Sequence, residues 1–107
     1  MAISIETENA GTYPDVDEAQ IIDLSERLAD GMGFLIVHDS SREEHAQAAP
    51  GSEGSYVVEY CTADRHHYQA TVSTPAQIGA FLAAWAWKRD GWKDGFKWTE
   101  LGYLRGA

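Results

Sequence analysis

Four histidines and a single cysteine are the side chains of this sequence best suited to binding a metal ion or to nucleophilic catalysis. His66 and His67 are adjacent, so on a strand they point to opposite faces and cannot both reach one ion. His38 and His45 lie in different segments, and Cys61 has no second thiolate near it. A zinc site would have to be assembled from distant positions, so the sequence predicts no bound metal and no cofactor.

The same residues give only weak indications of catalysis. Cys61 ends an apolar run, where a cysteine is more often a small buried hydrophobe than a nucleophile. Cys61 with His38 or His67 could form a dyad, but no spacing in the sequence requires it. Glu59 lies between two apolar residues, where burial would let it act as a base, although we expect its sheet face to be solvated. Glu59, His67 and Gln69 are kept as a candidate pocket, and the sequence predicts no catalytic residue.

The charge of the chain is negative and unevenly distributed. Eight lysines and arginines stand against 17 acidic residues, for a net charge of −9. Residues 1–53 contain twelve acids and two arginines, whereas residues 54–107 contain five acids and six basic residues. Such a surface would repel nucleic acid and anionic membranes. It favours the capture of a basic protein, although acidity also serves solubility alone.

The side chains most available to such a partner lie in predicted turns and on helix faces. We predict partner contacts from five residues: Asp39, Glu43, Glu44, Glu53 and Trp87. The first three cluster in one turn, where carboxylates can reach outward. Trp87 is two residues beyond Trp85 and so points away from the buried stripe of its helix, where the C-terminal tail would either cover it or leave it exposed. A competing patch on the outer face of the first helix consists of Asp23, Glu26 and Asp30.

Two helices should support these residues. Asp15 and Glu18 have the spacing of a capping box, which predicts a helix that starts near Asp15 and ends at Gly31. Thr74 is followed by proline at the first helical position and by glutamine three residues after the cap. This predicts a second helix from Thr74 to Gly91.

Apolar runs and alternating patterns predict the strands. They lie near residues 3–6, 34–38, 46–49, 56–61 and 66–72. Residues 34–37 are apolar at every position, so we expect a central strand covered on both faces. Short connections between the later strands predict an antiparallel meander. The tail should fold back on the body, because it carries Trp92, Phe96, Trp98, Leu101, Tyr103 and Leu104.

These elements predict an α+β fold. We expect a single domain over residues 1–107, with one antiparallel sheet of about four to five strands packed with two main helices. The first residues lack the basic start and long apolar run of a signal peptide, and no apolar stretch approaches the ~20 residues of a membrane span. We therefore expect a cytoplasmic protein.

The order of several short segments resembles a known family. These segments are 34–38, 45–49, 54–60, 65–68, the helix over 74–85, Gly91-Trp92 and Trp98. Together they resemble bacterial immunity proteins encoded beside polymorphic toxins, often deaminase toxins, over roughly residues 20–98. The Ala-Trp-Ala-Trp run at 84–87 departs from the family pattern.

The resemblance implies a protein that binds and neutralises a toxin made by the same cell. The chain contains neither the His-x-Glu nor the Pro-Cys-x-x-Cys signature of a zinc deaminase, so it would be the inhibitor and not the enzyme. Two alternatives stay open. One is a small-ligand or enzymatic domain that uses the sheet face around Glu59, His67 and Gln69, and the other is an acidic regulatory subunit.

Overall fold

Seven strands and two helices make up the described part of the chain. The computed structural model describes residues 3–28, 30–39, 41 and 43–103. The elements in chain order are β1 (Ile3–Thr7), β2 (Thr12–Tyr13), α1 (Glu18–Glu26), β3 (Leu35–Asp39), β4 (His45–Pro50), β5 (Tyr56–Cys61), β6 (His66–Val72), α2 (Pro75–Ala86) and β7 (Thr99–Tyr103).

All seven strands form one antiparallel sheet in the order β2-β1-β3-β4-β5-β6-β7. The predicted α+β fold with one antiparallel sheet and two helices is confirmed, but four to five strands was too few. β2 has only two residues, and β7 contains only two large apolar residues, Leu101 and Tyr103. Neither strand has a local signal strong enough to be recognised without its neighbour.

The hydrophobic core lies between one face of the sheet and the two helices. α1 packs against α2, and α2 packs against β3, β4 and β5. Ala46 and Ala48 of β4 turn small side chains toward this layer, where Phe81 and Leu82 of α2 are also buried. Within the described ranges, neither helix has the length and apolarity needed to cross a membrane.

The prediction that β3 is covered on both faces is wrong. β3 is internal, between β1 and β4, but its burial alternates. Leu35 and Val37 are buried beneath the helices, whereas Ile36 and His38 are half-buried on the opposite face. Both helices pack on the same side of the sheet, so an apolar run was not sufficient evidence of a strand buried on both sides.

The first helix starts later and ends earlier than predicted. Asp17, not Asp15, is the N-cap: its carboxylate accepts a 2.9 Å hydrogen bond from the Gln20 amide, and the Gln20 side chain accepts one from the Asp17 amide. Asp15 has a positive φ of 53° and cannot belong to the helix. The helix ends at Glu26, before the predicted stop at Gly31.

The second helix has the predicted start and an earlier end. Thr74 caps it, and Gln77 completes the capping box. It ends at Ala86, and Lys88 then adopts a left-handed φ of 53° before the predicted stop at Gly91 is reached.

The aromatic tail packs back onto the body as predicted. The rings of Trp92 and Trp98 each lie 4.8 Å from the ring of Tyr60, edge-on, and Phe96 lies 5.6 Å from Phe81. The prediction is wrong for Leu101, which is 50% exposed. The side chains at positions 103 and 104 lie outside the described part of the chain.

Candidate functional site

The sheet has a second face that neither helix covers, and we call it the open face. Because side chains alternate along a strand, it is formed by every second residue of β1 and β3–β6. Its residues are Ser4, Glu6, Ile36, His38, His45, Gln47, Ala49, Val57, Glu59, Cys61, His67, Gln69 and Thr71. The seven strands contain no lysine or arginine, so the fixed charges of this face are the carboxylates of Glu6 and Glu59.

One row across the open face brings together three of the four histidines and the cysteine. His38 is paired with His45, His45 with Cys61, and Cys61 with His67, on successive strands. Directly opposed side chains have Cβ atoms about 4.5–5.5 Å apart. The rings of His38 and His45 lie 6.2 Å apart between centroids. The two histidines lie in different strands, as the sequence indicated, and the pairing of β3 with β4 makes them neighbours.

The adjacent row places Glu59 between two amides. Gln47 of β4 and Gln69 of β6 are its partners in the register. The side chains of Glu59 and His67 are only 15% and 13% exposed, and His67 Nε2 contacts Glu59 Oε1. Glu59, His67 and Gln69 therefore share one face of the sheet, and the candidate pocket they would form stays a prediction. The expected solvation of Glu59 is wrong, because its side chain is 15% exposed.

His67 has a further property that its sequence position does not reveal. Both of its ring nitrogens are buried, and neither has a hydrogen-bond partner of acceptable geometry among the described residues. Nε2 is close to the Glu59 carboxylate, but closeness without alignment gives electrostatic attraction and not a full hydrogen bond. The Glu59–His67 pair is thus a buried polar group with unused hydrogen-bonding capacity.

Burial and neighbouring charge set the protonation states nearby. Burial lowers the pKa of His45, and the adjacent His38 and His67 lower it further, while Glu59 opposes the shift. Burial raises the pKa of the Cys61 thiol, which is 7% exposed. Because the thiolate is the reactive form, Cys61 lies in a setting that disfavours nucleophilic attack.

The geometry of this row does not favour metal ligation. In the part of the chain that the structure describes, no three or more histidine, cysteine, aspartate or glutamate side chains are arranged to hold an ion. The histidines of the row project side by side from separate strands and do not converge on one point.

The turn after β3 differs from its predicted geometry. Asp39 is 2% exposed, and its carboxylate accepts hydrogen bonds from Ser41 N at 2.9 Å and Ser41 Oγ at 2.6 Å. The expectation that Asp39 reaches outward is wrong, because strand alternation turns it toward the helices. Glu43 is exposed and Glu44 is half-buried.

The other predicted contact residues are divided between exposed and covered positions. Glu53 is exposed in the turn before β5. Trp87 is half-buried and packs against the core, so only part of its ring is available to a partner. The three residues of the competing patch are all exposed, but only Asp23 and Glu26 lie on α1, because the helix ends at Glu26 and Asp30 follows in a turn. A depression of about 320 Å³ beside this patch is lined by Tyr13, Asp17, Ala19, Gln20, Asp23, Leu24 and Arg27.

Two residues of the open face were not singled out from the sequence: His45 as a neighbour of Cys61, and Gln47 as a neighbour of Glu59. The spacing of His45 and Gln47 already places them on one side of a strand. The missing information was the register of β4 against β5, which local sequence does not contain.

Comparisons of the chain with protein-family models, with curated proteins and with solved structures found no match. The resemblance to immunity proteins therefore stays a prediction that rests on the order of short segments. The side chains on the surface of the molecule are therefore the basis for inferring its function.

Proposed function

We propose that this chain is an immunity protein that binds and neutralises a cognate bacterial toxin by protein–protein contact, without catalysis, in the cytoplasm. The toxin acts on nucleic acid, and a deaminase is the first candidate. The observation that carries the proposal is the exposure of the acidic residues in the N-terminal half. Nine of the twelve are exposed: Glu6, Glu8, Asp15, Asp17, Asp23, Glu26, Asp30, Glu43 and Glu53.

Exposed carboxylates of one sign create a field that attracts a basic partner over several ångströms and accelerates its association. Enzymes that act on nucleic acid need basic substrate grooves to neutralise phosphates. An acidic protein that occupies such a groove excludes the substrate. Among the described residues, three of these acids lie in ion pairs: Glu6 with His38, Glu18 with Arg89 and Asp23 with Arg27.

A second candidate function is favoured by one specific observation. The contact of Glu59 with His67, next to Cys61, is the kind of polar cluster that a small-ligand or enzymatic domain would use. The raised pKa of Cys61 weighs against a catalytic thiol. A ligand-binding domain would bind a small molecule in the absence of a protein partner, whereas an immunity protein would need no small molecule to bind its toxin.

The test is neutralisation of the toxin domain encoded beside this gene. Co-expression with the chain should restore growth to cells that produce the toxin, and the purified proteins should form a stoichiometric complex. The association rate should fall steeply as salt is raised, because charge steering is screened within about 8–10 Å. Continued killing and no complex at equimolar protein would refute the proposal.

Charge reversal then identifies the contributing surface. A triple variant at Asp23, Glu26 and Asp30 is compared with a double variant at Glu43 and Glu44, both made as lysine substitutions. The variant that slows association and flattens its salt dependence marks the side from which the toxin approaches. If both variants associate at the wild-type rate, the acidic residues serve solubility and not capture.

A further inference from the structure

The open face is the part of the sheet left for a partner to cover. Both helices pack on the other side, and the residues of this face are mostly half-buried by one another and not by a covering element. An antiparallel sheet with one uncovered face usually presents it to solvent as a plain polar surface. Here the face contains the half-buried carboxylate of Glu59, and no strand carries a lysine or arginine.

The chemistry at the centre of this face is that of a cation receptor. Glu59 supplies a carboxylate that is 15% exposed, and Gln47 and Gln69 flank it in the register with carbonyl oxygens that can accept hydrogen bonds. His67 contacts the same carboxylate through Nε2, and both of its ring nitrogens are buried, so its ring forms a wall of the site. An incoming group with several donors would satisfy the carboxylate and the two amide oxygens at once.

Arginine fits this arrangement better than lysine does. Its planar guanidinium carries five N–H donors in a fixed fork that matches a carboxylate with flanking acceptors, whereas the lysine ammonium is a compact point charge with three donors. A half-buried carboxylate forms stronger charge-assisted bonds than a more exposed one. Asp23 and Glu26 of α1 are more exposed than Glu59, and Asp23 is already paired with Arg27 at 3.3 Å.

We propose that the open face is the docking surface for a basic segment of the partner, and that an arginine side chain of this segment binds Glu59 between Gln47 and Gln69, against His67. This inference rests on the proposed function and adds the site and the chemistry of recognition. The exposed acids of the N-terminal half steer the partner, and Glu59 holds it.

The first experiment measures affinity for the toxin domain encoded beside this gene. Glu59→Gln removes the charge and keeps the shape, and it should weaken binding by about 30-fold or more, mainly through faster dissociation. Asp90→Asn removes the same charge from an exposed turn after α2 and should change the affinity by less than about threefold. Thermal melts establish that both variants fold. Equal affinities for the wild type and Glu59→Gln would overturn the inference while leaving the proposed function intact.

The second experiment needs no toxin and covers the case in which Glu59→Gln does not fold. Blocked hexa-arginine and hexa-lysine peptides are titrated into the wild-type protein, and the imidazole C–H signals are followed by NMR. Three histidines report on the open face: His38, His45 and His67. His66 is the internal control, because it points to the other side, where its Nδ1 lies 2.5 Å from Glu100 Oε2.

Hexa-arginine should shift the His67 and His45 signals more strongly than hexa-lysine does at equal concentration, with little change at His66. Equal shifts from the two peptides, or shifts confined to His66, would overturn the inference. If the toxin does not bind the wild type while hexa-arginine selects the open face, the proposed function fails and the arginine site stands.

Discussion

Replacement of Trp98 by alanine tests how the C-terminal segment is held to the body. The Trp98 ring lies 4.8 Å from Tyr60, 5.3 Å from Phe81 and 5.5 Å from Phe96, measured between centroids. Its Nε1 donates a 3.0 Å hydrogen bond to the Lys93 carbonyl, which closes the loop that leads into β7. One side chain thus connects β5, α2 and the tail.

The expected cost is about 3 kcal/mol of unfolding free energy, the low end for a tryptophan truncation, because the ring is half-buried. Three ring contacts at about 0.5 kcal/mol each account for much of this value. The hydrogen bond adds about 1 kcal/mol. For a domain of this size the loss corresponds to a fall in Tm of about 12–24 °C.

Chemical and thermal unfolding, followed by circular dichroism and by tryptophan fluorescence, measure the change. Trp98→Phe is the graded variant, since it keeps a ring and loses the hydrogen bond, and it should cost about 1 kcal/mol. Leu101→Ala in the same segment is the matched control, because a side chain that is 50% exposed should cost about 0.5 kcal/mol. A Trp98→Ala protein that melts within a few degrees of wild type would refute the reasoning that this aromatic contact anchors the tail.

Three further predictions concern pH, a strained turn and a helix cap. The pKa of His45 is lowered in the folded state, so as pH falls below about 6.5 the unfolded chain takes up a proton before the folded protein does, and the folded state loses stability. His45→Gln should therefore reduce the difference in unfolding free energy between urea melts at pH 7 and at pH 5. Gly33→Ala should lower the unfolding free energy by about 1–3 kcal/mol, because φ is +85° and the new Cβ would lie 2.7 Å from Glu8 Cβ. Gly11→Ala is the control: its φ is also positive but the space around it is open, so it should cost less in the same urea titration. Thr74→Ala should cost about 1 kcal/mol in that titration, and a Thr74→Ser protein that is equally destabilised would show that the cap hydroxyl is not the cause.

Local sequence was sufficient for those elements whose pattern is self-contained. β5 and β6 have the bounds that alternation predicts, and the cap of α2 lies at Thr74 because a threonine, a proline and a glutamine act within one turn. The placement of Glu59, His67 and Gln69 on one face was also accessible, since the side-chain period of a strand is two.

Only the tertiary structure decided which strands are neighbours and which face the helices cover. His38 and His45 became neighbours, and Gln47 came to flank Glu59, through registers between strands that no short window of sequence encodes. Asp39 turned inward for the same reason. The sequence determined which residues could share a face of a strand. Long-range pairing, with both helices packed on one side, determined that three histidines, the cysteine and the half-buried carboxylate of Glu59 share an uncovered face of the sheet.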